Sequence, residues 1–282
     1  MQGGVELTAY LVNESRARRP LLAGDGLAAA WVPDGERSAV RALWREYADA
    51  VYPHDDLVVS LRGRYIADTL ARALRDDPDT VLVVCGAGFS SYPWLLPFPV
   101  SFEVDLPHMV ETKRRRAAEL MASGVAAVRD VHHVVADLAD PADRAALARQ
   151  VREVADGRPV AYVAEGLVFY LPSDKARDVV RLGAEFGTRA VTAVSYWPAA
   201  ASGSRVLAEQ RDWFRRRSVP QDASYLTHEE LTTLFGTPVE DLGPHDLQLR
   251  YLDRVAVPES ELIPEYVAVS WGTRGSAAGA AA

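Results

Sequence analysis

The segment Thr80–Cys85 (TVLVVC) is apolar almost throughout and is followed at once by Gly86-Ala87-Gly88. A short apolar run that ends in a glycine turn is typical of a strand buried on both faces, as in parallel sheets covered by helices. Similar runs follow at Val100–Asp105, His132–Asp137, Pro159–Glu165 and Ala190–Tyr196, separated by helical patterns at His108–Met121, Pro141–Asp156 and Ser173–Phe186. The alternation predicts βαβ units and an α/β fold with a doubly wound, mostly parallel sheet.

The chain on either side of this region has a different pattern. Residues 1–75 predict helices without strands, notably over Ser38–Tyr52 and Arg62–Arg75. Near the other end, a helix is predicted at Thr227–Phe235, with strands at Leu247–Val257 and Tyr266–Trp271 that suit an antiparallel edge. We therefore expect a helical cap over residues 1–75, an α/β core over 76–274 and a flexible tail of Gly, Ser and Ala over 275–282.

The composition excludes several classes of protein. Lys and Arg number 31 against 39 Asp and Glu, a net charge of −8, which is unsuited to the neutralisation of nucleic-acid phosphates. With one cysteine, Cys85, the chain forms no internal disulfide and no four-cysteine metal site, and we expect no metal. The sequence shows neither a signal-peptide profile nor an apolar run long enough for a membrane helix. These features predict a cytoplasmic protein without nucleic-acid or membrane partners.

Glycine and acidic residues stand at the carboxyl ends of the predicted strands, where α/β sheets bind ligands. Gly86 and Gly88 permit a tight turn and close approach of a ligand to the backbone. Asp105 could accept hydrogen bonds from both ribose hydroxyls, Asp137 could accept one from an adenine amine, and Glu165 ends another strand. The dinucleotide pattern GxGxxG is incomplete, because Ser91 occupies its third glycine position.

Several motifs resemble the leucine carboxyl methyltransferase family of class I S-adenosylmethionine-dependent methyltransferases, particularly its bacterial polyketide-tailoring O-methyltransferase members. The motifs are Gly86-Ala87-Gly88, FEVDLP at 102–107, Ala136-Asp137-Leu138 and EGLVFYL at 165–171, supported by SRARRPLL at 15–22, RGRYIAD at 62–68, Arg215-Arg216-Arg217 and the ending 266–273. The resemblance implies a Rossmann-like methyltransferase sheet with S-adenosylmethionine as cofactor.

Roles for individual residues follow from this resemblance. It implies that Arg62 or Arg64 binds the cofactor's carboxylate, that Gly86 and Gly88 accommodate its backbone, and that Asp105, beside Leu106, holds the ribose. It also implies that Asp137 and Leu138 hold the adenine and that Glu165 lies near the methionyl end. Where the family usually has Asp-Thr-Arg after the glycine loop, this chain has Ser90-Ser91-Tyr92.

The acceptor is less constrained by the sequence. The resemblance, together with the lack of an evident general base, predicts methylation of a carboxylate on a small, polyketide-like or other natural-product acid. No catalytic residue is assigned; Tyr196, Arg217 and Arg250 are candidates to position the acceptor, with Arg215 and Arg216 as further candidate cations.

Other interpretations remain open. The phenolic hydroxyl of a natural product is one alternative acceptor, a nucleotide-using Rossmann enzyme is another reading, and a catalytically silent scaffold of the same fold is a third. Elsewhere, Lys113–Arg116 is expected to form mostly the solvated face of a helix, although Lys113 matches a position of the family that the chain resembles. Ser173 is expected to cap the helix that it begins.

Overall fold

The computed structural model describes residues 5–219 and 223–272 of the chain. The α-helices are α1 (Val5–Arg18), α2 (Pro20–Ala23), α3 (Ala28–Trp31), α4 (Arg37–Ala50), α5 (Asp55–Asp76), α6 (Tyr92–Leu95), α7 (Pro107–Ala122), α8 (Pro141–Ala155), α9 (Ser173–Leu182), α10 (Arg205–Arg215), α11 (His228–Phe235) and α12 (Pro244–Leu252). The strands are β1 (Val81–Cys85), β2 (Ser101–Asp105), β3 (Val131–Val135), β4 (Val160–Ala164), β5 (Arg189–Pro198), β6 (Tyr225–Leu226), β7 (Glu240–Leu242) and β8 (Tyr266–Trp271).

The central sheet has the strand order β3-β2-β1-β4-β5-β8-β7, and the short β6 pairs with β5 off this path. The first five strands in this order run parallel, whereas β8 is antiparallel to both β5 and β7. Every residue of β1 and β4 is buried, as their continuous apolar sequence requires. The prediction of a doubly wound, mostly parallel α/β sheet with an antiparallel edge is confirmed.

The helices α1 to α5 precede the first strand, and α1 packs along α5. Leu7 and Leu11 of α1 are buried in the same core as Ile66 and Leu70 of α5. The predicted boundary of the cap lies within α5, one residue before the helix ends at Asp76. The predicted tail, 275–282, lies outside the described residues. Within 5–219 and 223–272, no helix is long and apolar enough to cross a membrane.

The predicted strand Leu247–Val257 is wrong. Its first half belongs to α12, which begins with Pro244 at its first position and buries Leu247 and Gln248. The Gln248 side chain then holds the following loop, accepting from the N–H groups of Ala256 and Val257 and donating to the Val257 carbonyl. The antiparallel edge is made instead by β7 and β8.

Two local predictions also need correction. Ser173 does not cap α9: the N-cap is Pro172, without a side-chain hydrogen bond. Lys113 is only 2% exposed, and its Nζ lies 2.5 Å from Glu103 Oε1 rather than in solvent. A lysine in this position requires a partner, because an isolated buried ammonium is strongly disfavoured.

Candidate active site

A cavity opens where the carboxyl ends of β1, β2 and β4 face helices α1 and α5. Its lining comprises Thr8, Ala9, Leu11, Val12, Arg16, Tyr47, Tyr52, Asp55, Val58, Val59, Arg62, Val84, Gly86–Ser90, Asp105, Leu106, Met109, Ala136–Leu138, Glu165–Leu167, Phe169–Leu171, Trp197, Gln210, Phe214, Ile263 and Glu265. The predicted cofactor residues Gly86, Gly88, Asp105, Leu106, Asp137, Leu138, Glu165 and Arg62 all line this one cavity. Their convergence agrees with the rule that α/β sheets bind ligands at the carboxyl ends of their strands.

The glycine turn after β1 has backbone conformations that favour glycine. Gly86 and Gly88 have φ angles of +64° and +43°, in the left-handed region. A Cβ atom on Gly86 would also lie 3.1 Å from Leu167 Cδ1, too close for ordinary contact. The Gly88 N–H donates to Asp105 Oδ2 at 2.8 Å, so the turn is held against the end of β2.

The Asp105 carboxylate is fixed by backbone groups. Its Oδ1 accepts from the Leu106 N–H at 2.8 Å, while Oδ2 accepts from Gly88. Burial raises the pKa of Asp105, although these two N–H groups act in the opposite direction. Each carboxylate oxygen has a second lone pair, so the predicted bonds to ribose hydroxyls are compatible with the bonds already present.

The methionyl end of the predicted site is formed by an arginine between two carboxylates. Arg62, 2% exposed, donates from Nε to Glu165 Oε1 at 2.7 Å and from Nη1 to Glu265 Oε2 at 2.5 Å. Burial raises the pKa of Glu165, but Arg62 and Arg16 outweigh it and hold the pKa below its usual value. No local sequence pattern points to Glu265, which reaches the site because β8, which begins at the next residue, returns beside β5.

Two atoms of this cluster lack partners, and they provide a test of whether the cofactor fits. Among the described residues, neither Arg62 Nη2 nor Glu265 Oε1 has a hydrogen-bond partner, although both are buried. One is a cationic donor and the other an anionic acceptor, so together they complement the carboxylate and ammonium of an amino-acid group. The methionyl part of S-adenosylmethionine carries this pair of charges. The residues present therefore fit the cofactor.

The opposite end of the site is more open. Asp137 is exposed, and its Oδ1 accepts from the Ala139 N–H at 2.9 Å, while the side chain of Leu138 is buried beside it. An exposed carboxylate next to a buried apolar side chain suits the edge and face of an adenine ring. Their roles remain predictions.

The residues that replace the family's usual Asp-Thr-Arg connect the glycine loop to its surroundings. Ser90 Oγ accepts from Lys113 Nζ at 3.2 Å, and the same ammonium donates to the Ala87 carbonyl at 3.3 Å. Ser91 Oγ donates to Asp25 Oδ2 at 2.9 Å and accepts from Trp31 Nε1 at 2.8 Å.

The predicted positioning residues do not reach the cavity. Tyr196 donates its hydroxyl to Asp241 Oδ2 at 2.6 Å, and neither residue lines the cavity. Arg217 pairs with Glu46 and stacks on Trp213, and Arg250 lies 3.7 Å from Glu240 Oε1. Arg215 and Arg216 are exposed. The sequence indicates the charge of Arg215, Arg216, Arg217 and Arg250, but it does not indicate the direction in which their side chains point.

Arg64 is also outside the cavity lining. Its Nε donates to Asp68 Oδ1 at 3.0 Å, one turn along α5, and its side chain is 38% exposed. Of the two arginines proposed for the cofactor carboxylate, the structure therefore brings only Arg62 to the site.

Beyond the methionyl end, the cavity is lined by aromatic side chains and one further carboxylate. Phe169 and Trp197 stack with centroids 4.4 Å apart and an interplanar angle of 2°. Asp55, 8% exposed, lines this part together with Gln210, whose Oε1 is buried without a hydrogen-bond partner in the described chain. No sequence motif singles out Asp55. The available signal was its spacing to Arg62, since residues seven apart share one helical face.

The comparisons with known proteins agree with this geometry. The sequence profile of the leucine carboxyl methyltransferase family matches residues 8–182. A protein of Saccharopolyspora erythraea named "Putative S-adenosyl-L-methionine-dependent methyltransferase" is 29% identical over 229 residues, which are 74% of this chain and 75% of that protein. A Mycobacterium sp. (strain KMS) protein of the same name is 38% identical over 95 residues, 33% of this chain and only 30% of that relative.

Solved structures share the fold. A duf574 family protein from Streptomyces avermitilis superposes with a TM-score of 0.60 at 18% identity, covering 83% of this chain and 91% of that one. Magnesium protoporphyrin IX methyltransferase from Synechocystis PCC 6803, solved with bound SAH, has a TM-score of 0.50 at 14% identity, covering 85% and 97%.

The fold and the site thus match the class of S-adenosylmethionine-dependent methyltransferases. Within that class, the chain belongs to the leucine carboxyl methyltransferase family, since the family profile covers more than half of its length. The predictions of family and cofactor are confirmed.

Proposed function

We propose that this protein methylates a hydroxyl group, with a phenol of the polyketide or natural-product kind as the best match to the cavity. When bound, S-adenosylmethionine supplies a methyl group on a sulfonium sulfur. The chain's own task is then to hold the acceptor oxygen about 3 Å from the methyl carbon and to exclude water.

The observation that carries the proposal is the charge of the acceptor part of the cavity. Of the cavity-lining residues in the described chain, only Arg16 and Arg62 are cationic. Arg62 is held by two glutamates, and Arg16 donates to the Phe89 carbonyl at 2.8 Å and lies 3.6 Å from Asp25. A carboxylate acceptor would find in this cavity no cation that lacks a carboxylate partner, and it would face Asp55. A neutral hydroxyl avoids that repulsion.

The apolar lining supports a flat acceptor. The stacked pair Phe169 and Trp197 forms one wall, and Phe214, 4% exposed, contributes to the same cavity. Aromatic side chains of this kind favour offset or edge contacts with another ring. A planar, mostly apolar phenol therefore satisfies both the shape and the charge of this part of the site.

The chemical stability of the product tests the proposal. The protein is incubated with methyl-labelled S-adenosylmethionine and matched acceptors, for example 1-naphthol and 1-naphthoic acid, and the products are treated with mild alkali. An aryl methyl ether keeps its label and a methyl ester loses it. Alkali-stable label on the naphthol supports the proposal, whereas label only on the acid and lost in alkali contradicts it and favours carboxyl methylation.

Cofactor binding distinguishes an enzyme from a silent scaffold or a nucleotide-using protein. Calorimetry with S-adenosylhomocysteine and, separately, with NADH measures this directly. We expect S-adenosylhomocysteine to bind and NADH not to bind. Binding of S-adenosylhomocysteine without turnover of any acceptor would instead indicate a scaffold.

A further inference from the structure

We infer that Asp55 is the general base that takes the proton from the acceptor hydroxyl, an inference that rests on the proposed function. Asp55 lines the acceptor part of the cavity, and nothing in the family motifs points to it. The inference starts from its position relative to Arg62, from the groups that orient its carboxylate and from its proton affinity.

The position follows from the geometry of α5. Asp55, Val58, Val59 and Arg62 all line the cavity, and their spacing places them on one face of the helix. Seven residues of helix separate Asp55 from Arg62, about 10 Å along the axis. If Arg62 holds the carboxylate of the methionyl group, Asp55 lies in a different part of the cavity, beside Tyr47 and Gln210, where an acceptor has room to bind.

The carboxylate of Asp55 is oriented by two side chains from other helices. Ser15 Oγ, on α1, donates to Asp55 Oδ2 at 2.5 Å, and Trp44 Nε1, on α4, donates to Ser15 Oγ at 2.7 Å. The hydroxyl of Ser15 is therefore committed as a donor toward Asp55, because its oxygen accepts from the indole. This relay fixes one carboxylate oxygen and the direction of the group.

The surroundings of Asp55 give it the proton affinity of a base. Burial raises its pKa to about 6, and Glu265 and Asp56 act in the same direction, while Ser15 and Arg62 lower it. Tyr47 and Tyr52 also face it, but burial raises the pKa of each phenol far above neutrality, so both stay protonated. Asp55 is thus ionised at neutral pH and holds a proton more tightly than an exposed aspartate.

The other carboxylates near the cavity are less suited to this role. Glu165 accepts from Arg62 and from the Tyr92 hydroxyl, which stabilise its charged form. Glu265 is bound to Arg62. Asp56 points to the other side of α5, where Arg19 Nε lies 3.0 Å from its Oδ2, and it does not line the cavity.

The proposed step balances in atoms and charge. The O–H bond of the acceptor breaks and its proton passes to an oxygen of Asp55, which becomes a neutral acid. The acceptor oxygen forms a bond to the methyl carbon, while the electrons of the S–C bond remain on sulfur. Asp55 then releases the proton to solvent when the product leaves, which restores the starting state.

The dependence of rate on the acidity of the acceptor tests the inference. Asp55→Asn is compared with Asp56→Asn, its neighbour outside the cavity, and with the unchanged protein, using 4-methoxyphenol and 4-nitrophenol as probes. We expect Asp55→Asn to lose about 100-fold or more in kcat with the weakly acidic methoxyphenol. With nitrophenol, which ionises near neutral pH unaided, we expect a loss of about tenfold or less. Asp56→Asn should keep the unchanged protein's ratio of the two rates.

Three further measurements separate a base from a structural role. S-adenosylhomocysteine should bind Asp55→Asn with an affinity within about twofold of the unchanged protein, which shows that the variant is folded. The rate with methoxyphenol should rise with pH through about 6 in the unchanged protein and lose that rise in Asp55→Asn. Ser15→Ala, which removes the orienting donor, should lower kcat more than it changes KM.

The outcomes are distinct. Equal losses with both phenols, or a pH rise that persists in Asp55→Asn, would overturn the base while leaving phenol methylation intact. If the unchanged protein labels only acids, the proposed function fails, and the base fails with it because a carboxylate acceptor needs none. A selective loss with methoxyphenol, together with the lost pH dependence, supports the assignment.

Discussion

The Tyr92 hydroxyl donates to Glu165 Oε2 at 2.5 Å, at the position where the family usually has an arginine. The cationic partners of Glu165 are supplied instead by Arg62 at 2.7 Å and by Arg16 at 4.0 Å, which come from the helices before the sheet. The change from Asp-Thr-Arg to Ser90-Ser91-Tyr92 therefore preserves a donor to Glu165. This substitution of residues therefore gives no support to the alternative of a catalytically silent scaffold.

Asp105 provides a direct prediction about cofactor affinity. Asp105→Ala removes the predicted acceptor for the ribose hydroxyls and also the partner of the Gly88 N–H. We expect S-adenosylhomocysteine binding to weaken by about 2–4 kcal/mol in calorimetry. Asp137→Ala, which alters an exposed side chain at the adenine end, should cost about 1 kcal/mol. Equal effects of the two changes would contradict the ribose assignment.

Arg62 and Arg64 form a matched pair for a test of stability. Arg62→Met leaves Glu165 and Glu265 buried without their main cation, and we expect the free energy of unfolding to fall by about 3–5 kcal/mol at pH 7.5. Arg64→Met removes a partly exposed pair with Asp68 and should change it by less than about 1 kcal/mol. Denaturant titration measures both. A large loss for Arg64 would show that its pairing with Asp68 has been underestimated.

Asp55 links stability to pH. Its pKa of about 6 in the folded protein lies above the ordinary value of 3.8, so the folded state binds the proton more tightly. The free energy of unfolding therefore falls, by up to about 3 kcal/mol, as pH rises from 3.8 to about 6. Asp55→Asn removes this loss, and its melting temperature should exceed that of the unchanged protein more at pH 7.5 than at pH 4.5. The same difference at both pH values would contradict the raised pKa.

Gln210 should affect the acceptor without affecting the cofactor. Its Nε2 donates to the Tyr47 hydroxyl at 2.8 Å, while its Oε1 is buried without a hydrogen-bond partner in the described chain. Gln210→Met keeps the length and removes the acceptor atom, so KM for a dihydroxy-naphthalene should rise about tenfold, equivalent to about 1.4 kcal/mol. S-adenosylhomocysteine affinity should not change. A tenfold loss of S-adenosylhomocysteine affinity in Gln210→Met would contradict the placement of Gln210 in the acceptor part of the cavity.

The sheet and the cofactor half of the site were predictable because they depend on local sequence. Each buried parallel strand is a short apolar run, and the residue at its carboxyl end lies at the site whatever the rest of the chain does. The segment after Pro244 was not predictable in this way, since its apolar and polar residues alternate as in a strand while Pro244 and Asp246 begin a helix.

The acceptor half depends on contacts between distant segments. The carboxylate of Asp55 is oriented by Ser15, 40 residues away in the sequence, and Ser15 in turn accepts from Trp44, 29 residues away. No local sequence pattern predicts hydrogen bonds between such distant residues. The arginines at 215–217 had the right charge but the wrong direction, because α10 turns them toward solvent and toward Glu46.

The ion cluster around Arg62 also sets an order for the formation of the site during synthesis. Arg62 is synthesised before both of its partners: Glu165 follows 103 residues later and Glu265 follows 203 residues later. Until β8 has joined the sheet, burial of α5 would leave the Nη1 group of Arg62 without its carboxylate acceptor, which is costly. The contacts of Arg62 therefore cannot be complete before β8, the last of the described strands, takes its place beside β5.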